Sequence, residues 1–183
     1  MSTITAVDVA AYVKGTAGLR QFQSKDLQKL VYFAQAWHLA WTGRPLFDEA
    51  FEAWPDGPVV RSVYACNRYG GLPSDPTIDD ETRGIIDAVV AHYADRSVDE
   101  LVALTHADAP WIEARKDLGP TDPSRRELNS KTMLDFYTAK TLAADNAPRR
   151  PACAQVARRV DVTKIGARVV DRWRDGLELL AQK

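Results

Sequence analysis

The sequence predicts a mainly α-helical protein, a single-domain helical bundle with a small β-ribbon or extended insertion near residues 46–54. Three observations predict it. Apolar residues recur at steps of three and four along most of the chain, the period of one helix face. Residues that start and stop helices bracket these runs. Apolar and acidic residues interleave over residues 46–54, which marks an extended excursion.

The elements follow in order. Val9, Tyr12 and Val13 share one side of a first helix that stops near Gly15. Ser24 is placed to cap a second helix, in which Leu27, Leu30, Val31, Ala34, Trp37, His38 and Trp41 form one face. Gly43 supplies the left-handed residue that ends such a helix, and Pro45 blocks continuation. Leu46, Phe47, Phe51, Ala53 and Trp54 then alternate with Asp48, Glu49 and Glu52. Pro55-Asp56-Gly57 is turn chemistry, and Pro58 suits the first position of a third helix with Val59, Val63 and Tyr64 inward. Asp79, Asp80 and Glu81 open a helix with Ile85, Ile86, Val89, Val90 and Tyr93 as its buried stripe. Ser97 and Glu100 form a capping box before Leu101. His106, Asp108 and Pro110 lie in a loop where Asp108 can cap the turn begun by Pro110 and Trp111. Residues 117–129 read as irregular. Ser130 is expected to cap a helix carrying Met133, Leu134, Phe136, Tyr137 and Leu142. Trp37, Trp54 and Trp111 are expected to be largely buried.

Composition narrows the function. The chain has 183 residues, 45% of them hydrophobic, with a net charge of −1. That is enough apolar matter for one core without a metal or disulfide staple. It is too little positive charge for a general nucleic-acid binder. Cys66 and Cys153 are the two cysteines, so neither a disulfide framework nor a zinc ribbon is expected. No run approaches ~18 apolar residues, and Met1–Ala10 lacks the pattern of a secretory signal. The chain is therefore expected to be cytoplasmic, with no membrane partner and no cofactor.

Charge divides the chain. Residues 1–144 hold fifteen Lys/Arg against twenty Asp/Glu, and residues 145–183 hold nine against five. We divide it accordingly into a helical domain, 1–144, and a basic linker with a C-terminal amphipathic helix, 145–183. Pro148-Arg149-Arg150-Pro151 reads as the linker. Ile165, Val169, Val170, Trp173, Leu177 and Leu180 form the apolar stripe of the last helix, expected to pack on the body.

Catalytic chemistry finds little support. Cys66 and His106 could pair as nucleophile and base, but Cys66 lacks a recognisable local motif and is expected to be a small buried residue. His38, His92 and His106 have no second ligand at metal spacing. Gly70-Gly71 is followed by Leu72-Pro73, which is no phosphate loop.

Four ordered blocks carry a resemblance. They are Leu27-Gln-Lys29-Leu30-Val-Tyr32-Phe33-Ala34-Gln-Ala-Trp37; Gly43-Arg-Pro45-Leu46-Phe47; Trp54-x-x-Gly57-Pro58-Val59 with Tyr64 beyond; and Leu104-Thr105-His106-x-x-x-Pro110-Trp111-x-x-Ala114-Arg115. In this order they resemble the Panacea domain family, which includes SocA-type antitoxin adaptors and GepA-like phage-associated proteins. The resemblance implies an antitoxin that neutralises a cognate protein toxin by direct binding, and no catalytic residues. It also admits a proteolytic adaptor that delivers the toxin to an AAA+ protease. Lys29, Tyr32, Trp37, Gly43, Trp54, Gly57, Pro58, Tyr64, His106, Pro110, Trp111 and Arg115 are then expected to hold the fold. The tail supplies the candidate toxin contacts Arg168, Arg172 and Trp173. A DNA-binding regulator using the basic tail and an enzyme using His106 or Cys66 are the rival classes. Nucleic acid is the less expected partner because no convincing helix-turn-helix is present.

Overall fold

A computed structural model describes residues 4–19, 24–143 and 147–152. Among these residues there are seven helices and one two-stranded antiparallel ribbon, so the fold is mainly α with a small β insertion. The helices are α1 (Ala6–Thr16), α2 (Ser24–Thr42), α3 (Arg61–Tyr69), α4 (Asp80–Tyr93), α5 (Val98–His106), α6 (Ala109–Arg115) and α7 (Ser130–Ala143). The ribbon is β1 (Glu52–Trp54) and β2 (Gly57–Val59). The expected tail helix, with Arg168, Arg172 and Trp173, lies outside the described residues. No helix among the described residues is long and apolar enough to cross a membrane.

Helix α2 is the axis of the molecule. It touches α1, α3, α4, α5, α7 and β2. The apolar period marks one face, yet 13 of its 19 residues are buried. Tyr32, Phe33, Ala36 and Leu39 complete the apolar lining, and Gln28, Lys29 and Gln35 are buried with them. His38, assigned to the buried face, is half-exposed and holds the Arg44 carbonyl through Nδ1 at 2.9 Å. A helix surrounded by neighbours buries its polar positions too, and each must then find a partner.

The two glutamines find theirs in the loops. Gln28 accepts from the Val60 amide at 2.9 Å and donates to the Val60 carbonyl at 3.2 Å. Gln35 accepts from the Leu46 amide at 2.7 Å and donates to the Phe47 carbonyl at 3.1 Å. A side-chain amide carries the same donor and acceptor as a peptide group. Spaced seven residues apart, the two amides share a face of α2 and pin the chain before and after the ribbon.

The ribbon lies at 52–59, shifted from the expected 46–54. Pro58 is therefore in β2 and not at the start of a helix; α3 begins at Arg61 after Val60. Glu52 pairs with Val59, Ala53 with Pro58 and Trp54 with Gly57. Ala53 sends its amide away from Pro58, to the Arg126 carbonyl at 2.8 Å. Pro58 thus occupies the non-hydrogen-bonded position of the ladder, where its missing N–H costs nothing. Leu128 donates to Phe51 at 2.8 Å and Glu127 bridges Glu52, so part of the segment read as irregular forms a third edge beside β1.

Several helix ends differ by a residue. Ser24 is already helical. Asn129 caps α7 in place of Ser130, accepting from the Lys131 amide at 2.8 Å and the Thr132 amide at 3.2 Å. Leu142 is 84% exposed and takes no part in the core. Gly43 is left-handed at the end of α2, with φ 72°. The stretch read as a linker docks on the body. Pro148 is buried, and Arg150 donates to the Trp41 carbonyl at 2.7 Å, capping an orphan carbonyl in the last turn of α2.

Candidate functional site

The motif residues converge on the inner side of the ribbon. Lys29, at 1% exposure, donates from Nζ to the Pro58 carbonyl at 3.0 Å. Gly57 lies over it at φ +101°, in the left-handed region. A Cβ on Gly57 would stand 2.7 Å from Lys29 Cε, Lys29 Nζ and Thr105 Oγ1. Glycine is needed there for both space and conformation. Burial pulls the Lys29 ammonium down to about 7, against the opposing pull of Asp56.

A clamp holds the ribbon from the other side. His106, the last residue of α5, stacks on Trp111 with ring centroids 4.0 Å apart and 13° between planes. Trp111 Nε1 donates to the Trp54 carbonyl at 3.0 Å. Arg115, 5% exposed, donates to the Ala53 carbonyl at 2.8 Å, Gly119 at 2.7 Å and Asp122 at 3.0 Å. Only a guanidinium presents enough donors in a fixed fork to gather carbonyls from two separate segments. Burial lowers the His106 pKa, the charge of Lys29 adds to that, and the Pro55 carbonyl opposes it. His106 Nε2 is buried with no hydrogen-bond partner among the described residues.

Asp108 was expected to cap α6. It holds the N-cap position, but its side chain makes no capping bond. Its carboxylate is wholly buried and accepts from Tyr32 Oη at 3.2 Å, Lys140 Nζ at 2.9 Å and Tyr137 Oη. Burial raises the Asp108 pKa, and Lys140 is the strongest opposing influence. Tyr137 and Lys140 carried no motif signal. Their three-residue spacing on α7, which presents both to one acid, was the available clue.

The remaining assigned residues spread outward. Trp37 is fully buried, with Nε1 on Tyr93 Oη at 3.1 Å, and Pro110 is buried in the first turn of α6. Trp54 and Trp111 are only half-buried, a correction to the expectation for all three tryptophans. Trp54 is the last residue of β1 and Trp111 reaches its carbonyl from α6, and a ribbon of two three-residue strands has little surface with which to cover either ring. Tyr64, on α3, packs on Trp54 at 5.3 Å. Gly43 is set apart at the end of α2. Cys66 is half-exposed on α3, not buried as expected. Among the described residues, no three His, Cys, Asp or Glu side chains converge as a metal site. Chemically, the assembled set ties one hairpin to three helices by carbonyl capture.

Comparison with known proteins finds similarity over part of the chain. Residues 27–112 match the family described as Antitoxin SocA-like, Panacea domain. The chain is 34% identical over 104 residues to Antitoxin SocA of Caulobacter vibrioides. That match covers 46% of this chain and 55% of the relative, so the chain spans about half the length of the curated protein it matches. No solved structure matches the chain. The segment from residue 27 to residue 112, with Lys29, Gly57-Pro58 and His106 to Trp111 inside it, is thus similar to the Panacea domain of SocA-like antitoxins.

Proposed function

We propose that this protein is an antitoxin of the cytoplasm that neutralises a cognate protein toxin by direct binding. The match of residues 27–112 to the SocA-like Panacea family, together with the 34% identity to Antitoxin SocA, carries the reading. The use of the motif residues supports it. Lys29, Trp111 and Arg115 spend their donors on backbone carbonyls of the same chain. Asp108 is enclosed by Tyr32, Tyr137 and Lys140. Groups so engaged hold a fold and are poorly placed to turn over a substrate. The motif residues that bond to this chain's own backbone or lie in its core are then positions of the scaffold, and partner choice belongs to exposed surface. Arg168, Arg172 and Trp173 remain candidates for that surface, as does a face of the body.

The test is co-expression with the protein encoded by the adjoining reading frame. Growth inhibition by that protein alone, rescue by this chain and recovery of the two as a purified complex are the expected results. Rescue without a complex, or no rescue, defeats direct neutralisation.

A further inference from the structure

The outer side of the ribbon carries a surface whose character differs from the rest of the body. A groove of about 570 Å³ lies between the ribbon and the segment after α6. Trp54, Pro55 and Pro123 line it, with Arg61 and Arg125, and Glu52 is its carboxylate. From the groove the surface continues along α3. Trp54 packs on Tyr64, Tyr64 Oη accepts from Arg68 at 2.9 Å, and Arg68 lies 6.0 Å from the ring centre of Tyr69. Tyr69 is 82% exposed. Arg61, Tyr64 and Arg68 follow at helical steps of three and four, so they share one face of α3.

Charge singles out this strip. Residues 1–144 carry an excess of five acidic groups. The strip instead holds three arginines, all exposed, against Glu52. Glu52 is 14% exposed and already engaged, by Trp54 Nε1 at 2.7 Å and by Arg61 at 3.7 Å. Arg125 has no side-chain partner among the described residues. The arrangement is a cationic and aromatic strip on an acidic body.

We propose that this strip is the surface on which the toxin docks, and that it receives an acidic segment with an apolar side chain seated in the groove against Trp54. The proposal rests on the antitoxin reading above. Trp, Tyr and Arg are the residues that dominate interface energetics, because each combines a broad apolar surface with a directional polar group. Arginine pairs with carboxylates in a two-pronged geometry that lysine does not match. Arg61 and Arg68 are already held by Glu52 and Tyr64, which reduces the ordering lost on binding.

The test uses the full-length chain and, as probe, the purified protein encoded by the adjoining reading frame, with affinity measured at low and high salt. The double variant Arg61→Glu/Arg125→Glu is expected to weaken binding on the order of 100-fold. Wild-type affinity falls with salt, and the double variant loses most of that dependence. Tyr69→Ala and Arg125→Glu alone, both at exposed positions, each weaken binding and cover the case in which the double variant fails to fold. Lys131→Glu, a charge reversal on α7, leaves binding unchanged. Wild-type affinity in the folded Arg125→Glu and Tyr69→Ala proteins overturns the proposal and leaves the antitoxin reading intact. Equal loss in Lys131→Glu also overturns it, since the effect is then one of net charge. A wild-type chain that neither binds the probe nor rescues growth defeats both readings together.

Discussion

Asp108 is buried against α2 and Lys29 on it, yet the protein accommodates their charges in opposite ways. Asp108 is surrounded by two tyrosine hydroxyls and the Lys140 ammonium, itself 30% exposed. Lys29 donates to one neutral carbonyl, and Asp56, paired with Lys25, acts on it through its charge alone among the described residues. The acid keeps a set of donors and a counter-charge that reaches water. The amine survives burial because it can release its proton near neutral pH, and a neutral amine still donates to Pro58. A buried charge is tolerated either by enclosing it in partners or by letting it titrate.

Removing the acid has the largest expected effect. Asp108→Ala leaves Tyr32 and Tyr137 hydroxyls without their acceptor and Lys140 without its counter-ion. Stability in urea should fall by ~3–5 kcal/mol with an unchanged m value. Asp108→Asn, which keeps the shape and one acceptor, should lose less. Equal losses would mean that the charge itself matters little.

The amine should reveal itself through pH. The Lys29 pKa is lowered from 10.5 to about 7 in the folded state, so above pH 7 the unfolded chain binds the extra proton. Stability should therefore rise with pH from about 7 towards 10.5 with a slope of up to ~1.4 kcal/mol per unit, and stay flat below. Lys29→Met should remove that slope, read as the difference between the two proteins at pH 7, 8 and 9. Asp108 runs the other way. Its raised folded pKa gives stability that is complete below 3.8 and lost as pH rises through the folded value. A slope near pH 8 that persists in Lys29→Met would end the comparison.

Gly57→Ala sharpens it further, by pushing Lys29 off Pro58 without touching Asp108. The clash at 2.7 Å and the left-handed φ should cost ~1–3 kcal/mol, measured by thermal unfolding. Asn129→Ala is the smallest change. It removes the cap of α7, the helix that carries Tyr137 and Lys140, and should cost ~1 kcal/mol. Hydrogen exchange should then loosen at the start of α7 and leave the ribbon unchanged.

How much of this was legible depends on the kind of signal. Trp37 was assigned to the core from its spacing with Leu30 and Ala34, and it is fully buried. Ser97 and Glu100 form the capping box their spacing implies. Pro58 was misplaced because a proline after a turn suits a helix start and a non-hydrogen-bonded strand position equally well. Asp108 was read as a cap because capping is local, whereas its acceptors are claimed by Tyr32 and by Tyr137, 29 residues away. The motif residues around the ribbon were recognisable as a set, but their shared use of carbonyl capture was not.

By itself the sequence determined the helices, most of their ends and the presence of a small extended insertion. These rest on period, caps and turn residues, which act over a few neighbours. Only the tertiary structure decided that Gln28 and Gln35 splint the loops, that Lys29 lies under Gly57 with the Pro58 carbonyl as its partner, and that the Arg150 segment closes the end of α2. It also decided that Trp54, Tyr64 and three arginines form one exposed strip. These depend on which distant segments share a neighbour, and a buried polar group takes its partner from whatever backbone the packing brings within reach.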